Sequence, residues 1–143
     1  MSSGVCHCQT LRQAGRRVTA FYDAALAPVG LRVSQFGILS RLHRHGPRSI
    51  QALAAELVMD RTTLGRNIRP LERDGLLQAV PDPADLRSRL LSATPRGAAL
   101  VVAARPAWIA AQAGFEARFG VEPAAQLQAA LQGVVAALHS FAD

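Results

Sequence analysis

The sequence predicts a mostly α-helical fold with one small β wing. Three observations predict it. Apolar residues recur at helical spacing through most of the 143 residues. Two short apolar runs, 77–80 and 89–93, have the length of strands. Gly and Pro fall at the joints between these segments, where a helix must stop.

The elements follow in order. Leu11, Ala14, Val18, Phe21, Tyr22 and Leu26 place a first helix over about 8–27, broken by Pro28-Val29-Gly30. A second helix covers 34–45, with Phe36, Leu39 and Leu42 inward and Gly46-Pro47 as its stop. Ser49 is an N-cap for a third helix, which carries Ile50, Leu53, Ala54 and Leu57. Met59-Asp60 is a turn, and Asp60 caps a fourth helix that runs to about 73. Gly75 is its left-handed C-terminal residue. Pro81-Asp82-Pro83 is expected to interrupt the ladder and form the wing loop between the two strands. Thr94 and Pro95 open a fifth helix over 95–119, with a kink expected at Pro106. Gly120 ends it, and a sixth helix starts at Glu122-Pro123 and runs to about 141. Helix, turn, helix and hairpin in this order make a winged helix-turn-helix.

The chain is one domain's worth of residues, 1–143. Within it, 33–95 is expected to form the winged helix-turn-helix lobe. Residues 1–30 and 96–143, the two chain ends, are expected to form a helical dimerisation region. The ends are rich in Ala, Leu and Val, and a fifth helix of about 24 residues would be roughly 36 Å long. Such a helix outruns a small lobe, and its surplus apolar surface needs a cover. A two-fold homodimer supplies one, with an intramolecular helix pair as the alternative.

Charge narrows the partner. Sixteen Arg and no Lys stand against ten acidic residues, for a net charge of +6. Ten Arg and six acids fall between Arg41 and Gly97, so +4 of that charge lies in this segment. The same segment has no Phe, Tyr or Trp. Single-strand and RNA readers usually present aromatic stacking platforms, so double-stranded DNA is the expected partner. The N-terminus has no apolar stretch of the kind that directs secretion, and no apolar run is expected to span a bilayer. A cytoplasmic protein without a membrane partner follows. No phosphate loop, nucleophile set or carboxylate pair suggests an enzyme, and no catalytic residue, cofactor or metal is expected.

On the fourth helix Leu64, Ile68 and Leu71 share one face. Thr62, Arg66, Arg69 and Arg73 share the opposite one, with Thr63 beside them. Arg pairs bidentately with guanine, and Thr touches a thymine methyl or a phosphate. The ordinary alternative for such a face is solvent. The wing adds Arg87 and Arg89, either of which can reach a neighbouring minor groove, and Asp85, expected to hold the Arg87 side chain. Gly65 and Pro70 lie inside the fourth helix, where each is locally unfavourable. Gly65 would allow close approach to a DNA backbone, and Pro70 should bend the helix.

The segments LRVSQFGILSRL, LAAELVMDRTTLGRNIRPLERDGLL and DPADLRSRLLSATPRG closely resemble the MarR-type winged helix-turn-helix regulators of bacteria over about residues 30–100. The most specific part is the wing pattern on Asp85, Arg87, Thr94, Pro95, Arg96 and Gly97. The resemblance implies a homodimer on a pseudo-palindromic operator, usually as a repressor. It implies release by a small aromatic effector or by cysteine oxidation. It also implies helix contacts from Arg61, Thr62, Thr63 and Arg66 and a wing contact from Arg87. Leu86 stands where many members carry a second wing Arg, and Gly65 replaces a usual polar residue.

An effector pocket in this architecture would lie between the dimer helices and the DNA-binding lobe. Arg16, Tyr22, Trp108 and Gln112 are candidate lining residues, with core and surface roles as alternatives. Cys6 and Cys8 flank His7. They are candidate redox thiols, able as thiolates to form a disulfide across a dimer or to bind a metal with His7 if two subunits contribute, and the alternative is a pair of ordinary thiols at the start of the first helix. Two functions of other classes stand beside the regulator. One is a helical protein that binds a ligand or metal. The other is an architectural DNA binder without sequence preference.

Overall fold

The computed structural model describes residues 4–139. Six α-helices and a three-stranded antiparallel sheet follow the expected order. Helix α1 spans His7–Leu26 and ends in a single 3-10 turn, Ala27–Val29, closed by Gly30 at φ 77°. Helix α2 spans Val33–His45 and helix α3 spans Ile50–Leu57. Helix α4 spans Arg61–Arg73, helix α5 Pro95–Phe119 and helix α6 Val121–Ala137. Residue 141, the expected end of the sixth helix, lies outside the described residues.

Side chains start the helices of the lobe. The Ala52 amide donates to Ser49 Oγ at 3.1 Å, and the Gly97 amide donates to Thr94 Oγ1 at 3.0 Å. Each cap satisfies an amide that the helix itself leaves unpaired. Gly75, at φ 72°, follows α4 as expected. The α3–α4 turn contains a surprise. Val58 sits at φ 54°, a left-handed conformation that a β-branched side chain rarely adopts. Backbone bonds hold it there, from Val58 N to Ala55 O at 3.2 Å and from Met59 N to Ala54 O at 2.9 Å.

The wing is longer than the sequence suggests. Strand β2 spans Leu77–Asp82 and strand β3 spans Asp85–Ala93, so only Pro83 and Ala84 make the turn. Pro81 pairs with Arg89 in the ladder. The expectation that Pro81 breaks the strand fails because β2 is an edge strand, where a missing N–H costs no bond on the solvent side. Strand β1, Arg48–Ser49, pairs with Leu91 and Leu90 on the other edge of β3. Two polar residues carry no strand signal, and β1 exists only because β3 offers it a free edge.

Leu39, Leu53, Leu64 and Leu71 form the centre of the core, each at most 1% exposed. Leu26, Val101 and Ala104 join it from α1 and α5. Ile50, at the start of α3, is exposed. Helix α5 continues through Pro106. By length and composition α5 is apolar enough to cross a bilayer, which corrects the expectation that no segment is. Arg96, Arg105, Glu116 and Arg118 interrupt it, and it packs against α1, α2, β3 and α6 as the central helix of the fold.

Candidate nucleic-acid interface

Helix α4 divides by face as its sequence requires. Leu64, Ile68 and Leu71 are buried, while Arg61, Thr62, Thr63, Arg66, Arg69 and Arg73 are exposed. Its first turn is fixed by Asp60. The Thr63 amide donates to Asp60 Oδ1 at 2.7 Å, and the Thr63 hydroxyl donates to Oδ2 at 2.9 Å. These bonds, the Thr63 amide first, hold the Asp60 carboxyl below its ordinary range. They also commit the Thr63 hydroxyl proton, so Thr63 faces outward as an acceptor. Asn67, half-buried, donates from Nδ2 to Thr63 O at 2.9 Å.

Among the described residues, ion pairs engage Arg41, Arg48 and Arg73, whereas Arg61, Arg66, Arg69 and Arg87 have none. The Arg73–Asp74 contact is 3.6 Å long between exposed side chains and holds Arg73 weakly. Gly65 leaves open space where a Cβ would stand, so no packing within the chain demands a glycine there.

The wing turn is built by carboxylates. Asp82 Oδ1 accepts from the Ala84 amide at 2.9 Å, and Asp82 Oδ2 accepts from the Ser88 hydroxyl at 3.2 Å. Asp85 Oδ1 accepts from the backbone amide of Arg87 at 3.0 Å. The expected hold of Asp85 on the Arg87 side chain is therefore corrected: Asp85 shapes the backbone and leaves the guanidinium exposed. Arg89, also exposed, lies along the sheet and donates from Nη2 to Ala79 O at 3.0 Å. Leu86 stands out at the wing tip, 87% exposed.

The four candidate effector residues lie in three places. Trp108 stacks on Phe36, with centroids 5.9 Å apart, beside a cavity of about 230 Å³ between α2 and α5. Tyr22 and Gln112 line a second cleft of about 480 Å³ between α1, α5 and α6, where the Tyr22 hydroxyl donates to Gln112 Oε1. Burial, and then the Glu116 carboxylate, push the Tyr22 hydroxyl above its ordinary range. Arg16 lies in a surface hollow on α1, with Thr10, Gln13 and Arg17. Sequence reading missed Arg41, Arg44, His45 and Arg105, which line the Trp108 cavity. Their signal was present as helical spacing: Arg41, Arg44 and His45 on α2, and Arg105 one turn before Trp108 on α5. Cys6 caps the start of α1 without a side-chain bond, and both thiols are exposed and free. No group of three metal-ligating side chains occurs among the described residues.

Comparison with known proteins agrees with this architecture. A model of the MarR family matches residues 31–88. The HTH-type transcriptional repressor NicR of Pseudomonas putida is 34% identical over 96 residues, which span 67% of this chain and 61% of that repressor. The transcriptional regulator MosR of M. tuberculosis, solved in complex with DNA, is 35% identical, with a TM-score of 0.78 over 92% of this chain and 96% of that one. A probable transcriptional regulator from Pseudomonas aeruginosa is 30% identical, with a TM-score of 0.77 over 92% and 96%. The capped α3–α4 pair, the carboxylate-built wing and these likenesses make one assignment: the chain belongs to the MarR family of winged helix-turn-helix regulators.

Proposed function

We propose that this chain is a sequence-specific, double-stranded-DNA-binding transcriptional repressor that acts as a homodimer on a pseudo-palindromic operator. One observation carries the reading. The outward face of α4 holds Arg66 and Arg69 opposite the buried Leu64, Ile68 and Leu71, Arg61 is exposed at its first turn, and none of the three has an ion partner among the described residues. Three unneutralised guanidiniums on one rigid helix repel one another until a polyanion arrives. The contacts are Arg61, Thr62, Thr63, Arg66 and Arg69 in the major groove, with Arg87 and Arg89 on the wing. Arg87 has the larger share, because Arg89 already spends a donor on Ala79.

The lobe over 33–95 reads DNA, and the ends over 1–30 and 96–143 pair two copies. Leu11, Phe119, Val121, Val135 and Leu138 are exposed along those ends, and α6 buries none of its residues. A DNA-bound role implies the cytoplasm. Release follows from a small aromatic effector or from oxidation of Cys6 and Cys8.

Arg66→Ala is expected to weaken binding to a duplex selected from random sequence by about 1–3 kcal/mol while sparing the dimer. Fluorescence anisotropy on the selected duplex and a scrambled one checks it. Equal loss on both reduces Arg66 to a phosphate contact, and no loss on either removes it from the interface. Replacing Cys6 and Cys8 by Ser should leave the reduced protein's affinity unchanged and abolish any loss caused by peroxide. The same peroxide response in both proteins would exclude the thiols as the switch.

A further inference from the structure

The tip of the wing carries the most exposed large hydrophobic side chain among the described residues. Leu86 is 87% exposed, ahead of Val121 at 69% and Val58 at 68%. Strand register explains why it protrudes. Pro81 pairs with Arg89, yet the next residue, Asp82, pairs with Asp85. Leu86, Arg87 and Ser88 are therefore extra residues on β3 with no partner on β2, and such a bulge re-aims side chains out of the ladder. Ser88 folds back, with its hydroxyl 3.2 Å from Asp82 Oδ2 and 3.4 Å from Asp85 O. Asp85 Oδ1 holds the Arg87 amide at 3.0 Å. Leu86 and Arg87 are left as an outward pair on a braced projection.

Charge does not explain this projection. Between Pro81 and Arg89 two acids, Asp82 and Asp85, cancel two cations, Arg87 and Arg89. The +4 between Arg41 and Gly97 therefore comes from outside the wing tip. A neutral tip has little Coulombic hold on a row of phosphates. It does have one guanidinium, which a narrow minor groove attracts, and one aliphatic side chain beside it. A leucine fixed on a pre-formed bulge loses little further backbone freedom when it is buried.

We infer that Leu86 is an apolar wedge that enters the minor groove beside Arg87 and partly unstacks one base step, so that the protein kinks its duplex and selects a pyrimidine–purine step under each wing. The wedge rests on the DNA-binding reading above and adds to it a source of sequence preference. Unstacking is least costly at TA and CA/TG steps, so the wedge reads deformability without a hydrogen bond to any base. Arg87 anchors the tip by charge, and Leu86 discriminates between steps. Leu86 releases no counterion on binding, so its contribution is independent of salt, unlike that of a phosphate contact.

The probe is a duplex that the full-length protein selects from random sequence. Permanganate oxidises unstacked thymines, and every TA or CA/TG step contains one. The wild-type complex should show a reactive thymine under each wing, and the Leu86→Ala complex should show none. Leu86→Ala should lose about tenfold in affinity per wing, equally at low and high salt. Leu86→Met, still apolar, should keep both the affinity and the reactive thymine. Leu86→Arg should lose the reactive thymine and steepen the salt dependence, because a new guanidinium meets a phosphate. Replacing the reactive step by a stiff AA step should cost the wild type about tenfold and Leu86→Ala little. The side chain is exposed, so none of these changes touches the core. Absence of a reactive thymine, equal affinity in Leu86→Ala, or a loss confined to low salt would each overturn the wedge and leave the regulator reading standing. Failure to select any duplex would overturn the DNA-binding reading, and the wedge with it.

Discussion

The two ends of the chain are more apolar than its middle and yet are the less buried. Between Leu31 and Leu91 the core takes in thirteen hydrophobic residues, with Leu39, Leu53 and Leu64 sealed from solvent. Helix α1 buries only Leu26, and α6 buries no residue among those described. The difference is geometric. Helices of eight to thirteen residues meet around one centre in the lobe. Helix α5, at 25 residues, extends beyond any element of the lobe, and α1 and α6 follow it outward. Apolar composition makes a core only where the chain can return on itself; elsewhere it makes a surface that asks for a second copy.

Removing α6 is the most severe way to break that contrast. Truncation after Gly120 should abolish stable dimers and tight operator binding together, because each lobe alone would grip only half of a two-fold site. Light scattering and anisotropy on the truncated protein check it. A truncated dimer that still holds the operator would put the two-fold interface on α1 and α5 alone.

A smaller disturbance acts at the seam between the regions. A Cβ built on Gly97 would lie 2.0 Å from Leu76 O and 2.9 Å from Leu76 C, both backbone atoms that cannot step aside. Thr94 closes the same seam. Its hydroxyl donates to Gly75 O at 2.7 Å, and its amide donates to Leu76 O at 3.1 Å. Gly97→Ala should cost about 3 kcal/mol by forcing α5 off the lobe. Urea unfolding measures it, and a cost below about 1 kcal/mol would mean that the seam yields.

That seam was visible in the sequence as Thr94, Pro95, Arg96 and Gly97, although the reason for the glycine was not. Local rules found the caps at Ser49, Asp60 and Thr94 and the buried face of α4, because each depends on residues within one or two turns. They failed where a distant partner decides. Strand β1 depends on the free edge of β3, and Pro81 is tolerated because β2 is an edge. Arg16 and Tyr22 lie on one helix, as do Trp108 and Gln112, so helical spacing alone could not assign them to different cavities. The contact of Arg41 with Glu56 could not be read from local spacing either, since the two are fifteen residues apart.

The smallest effect distinguishes the two regions by how their helices begin. Helix α4 starts on an ionised carboxylate, whereas the N-caps of α1 and α6, Cys6 and Gly120, offer no side-chain bond. The Thr63 amide, followed by its hydroxyl, lowers the Asp60 carboxyl from the ordinary 3.8. A carboxyl depressed on folding contributes its full stability above the unfolded value and loses it as pH falls through the lower, folded one. Acidification below the ordinary 3.8 should therefore fray the first turn of α4 before it touches the starts of α1 and α6. Protection of the Thr63 amide against hydrogen exchange, followed from neutral pH downward, reads this directly. Asp60→Asn keeps an oxygen that can accept from Thr63 but cannot titrate, so its protection should stay flat across the window in which the wild type declines. Parallel loss of protection in both proteins would mean that acid acts on the lobe through another group, and that the cap does not set the pH response of α4.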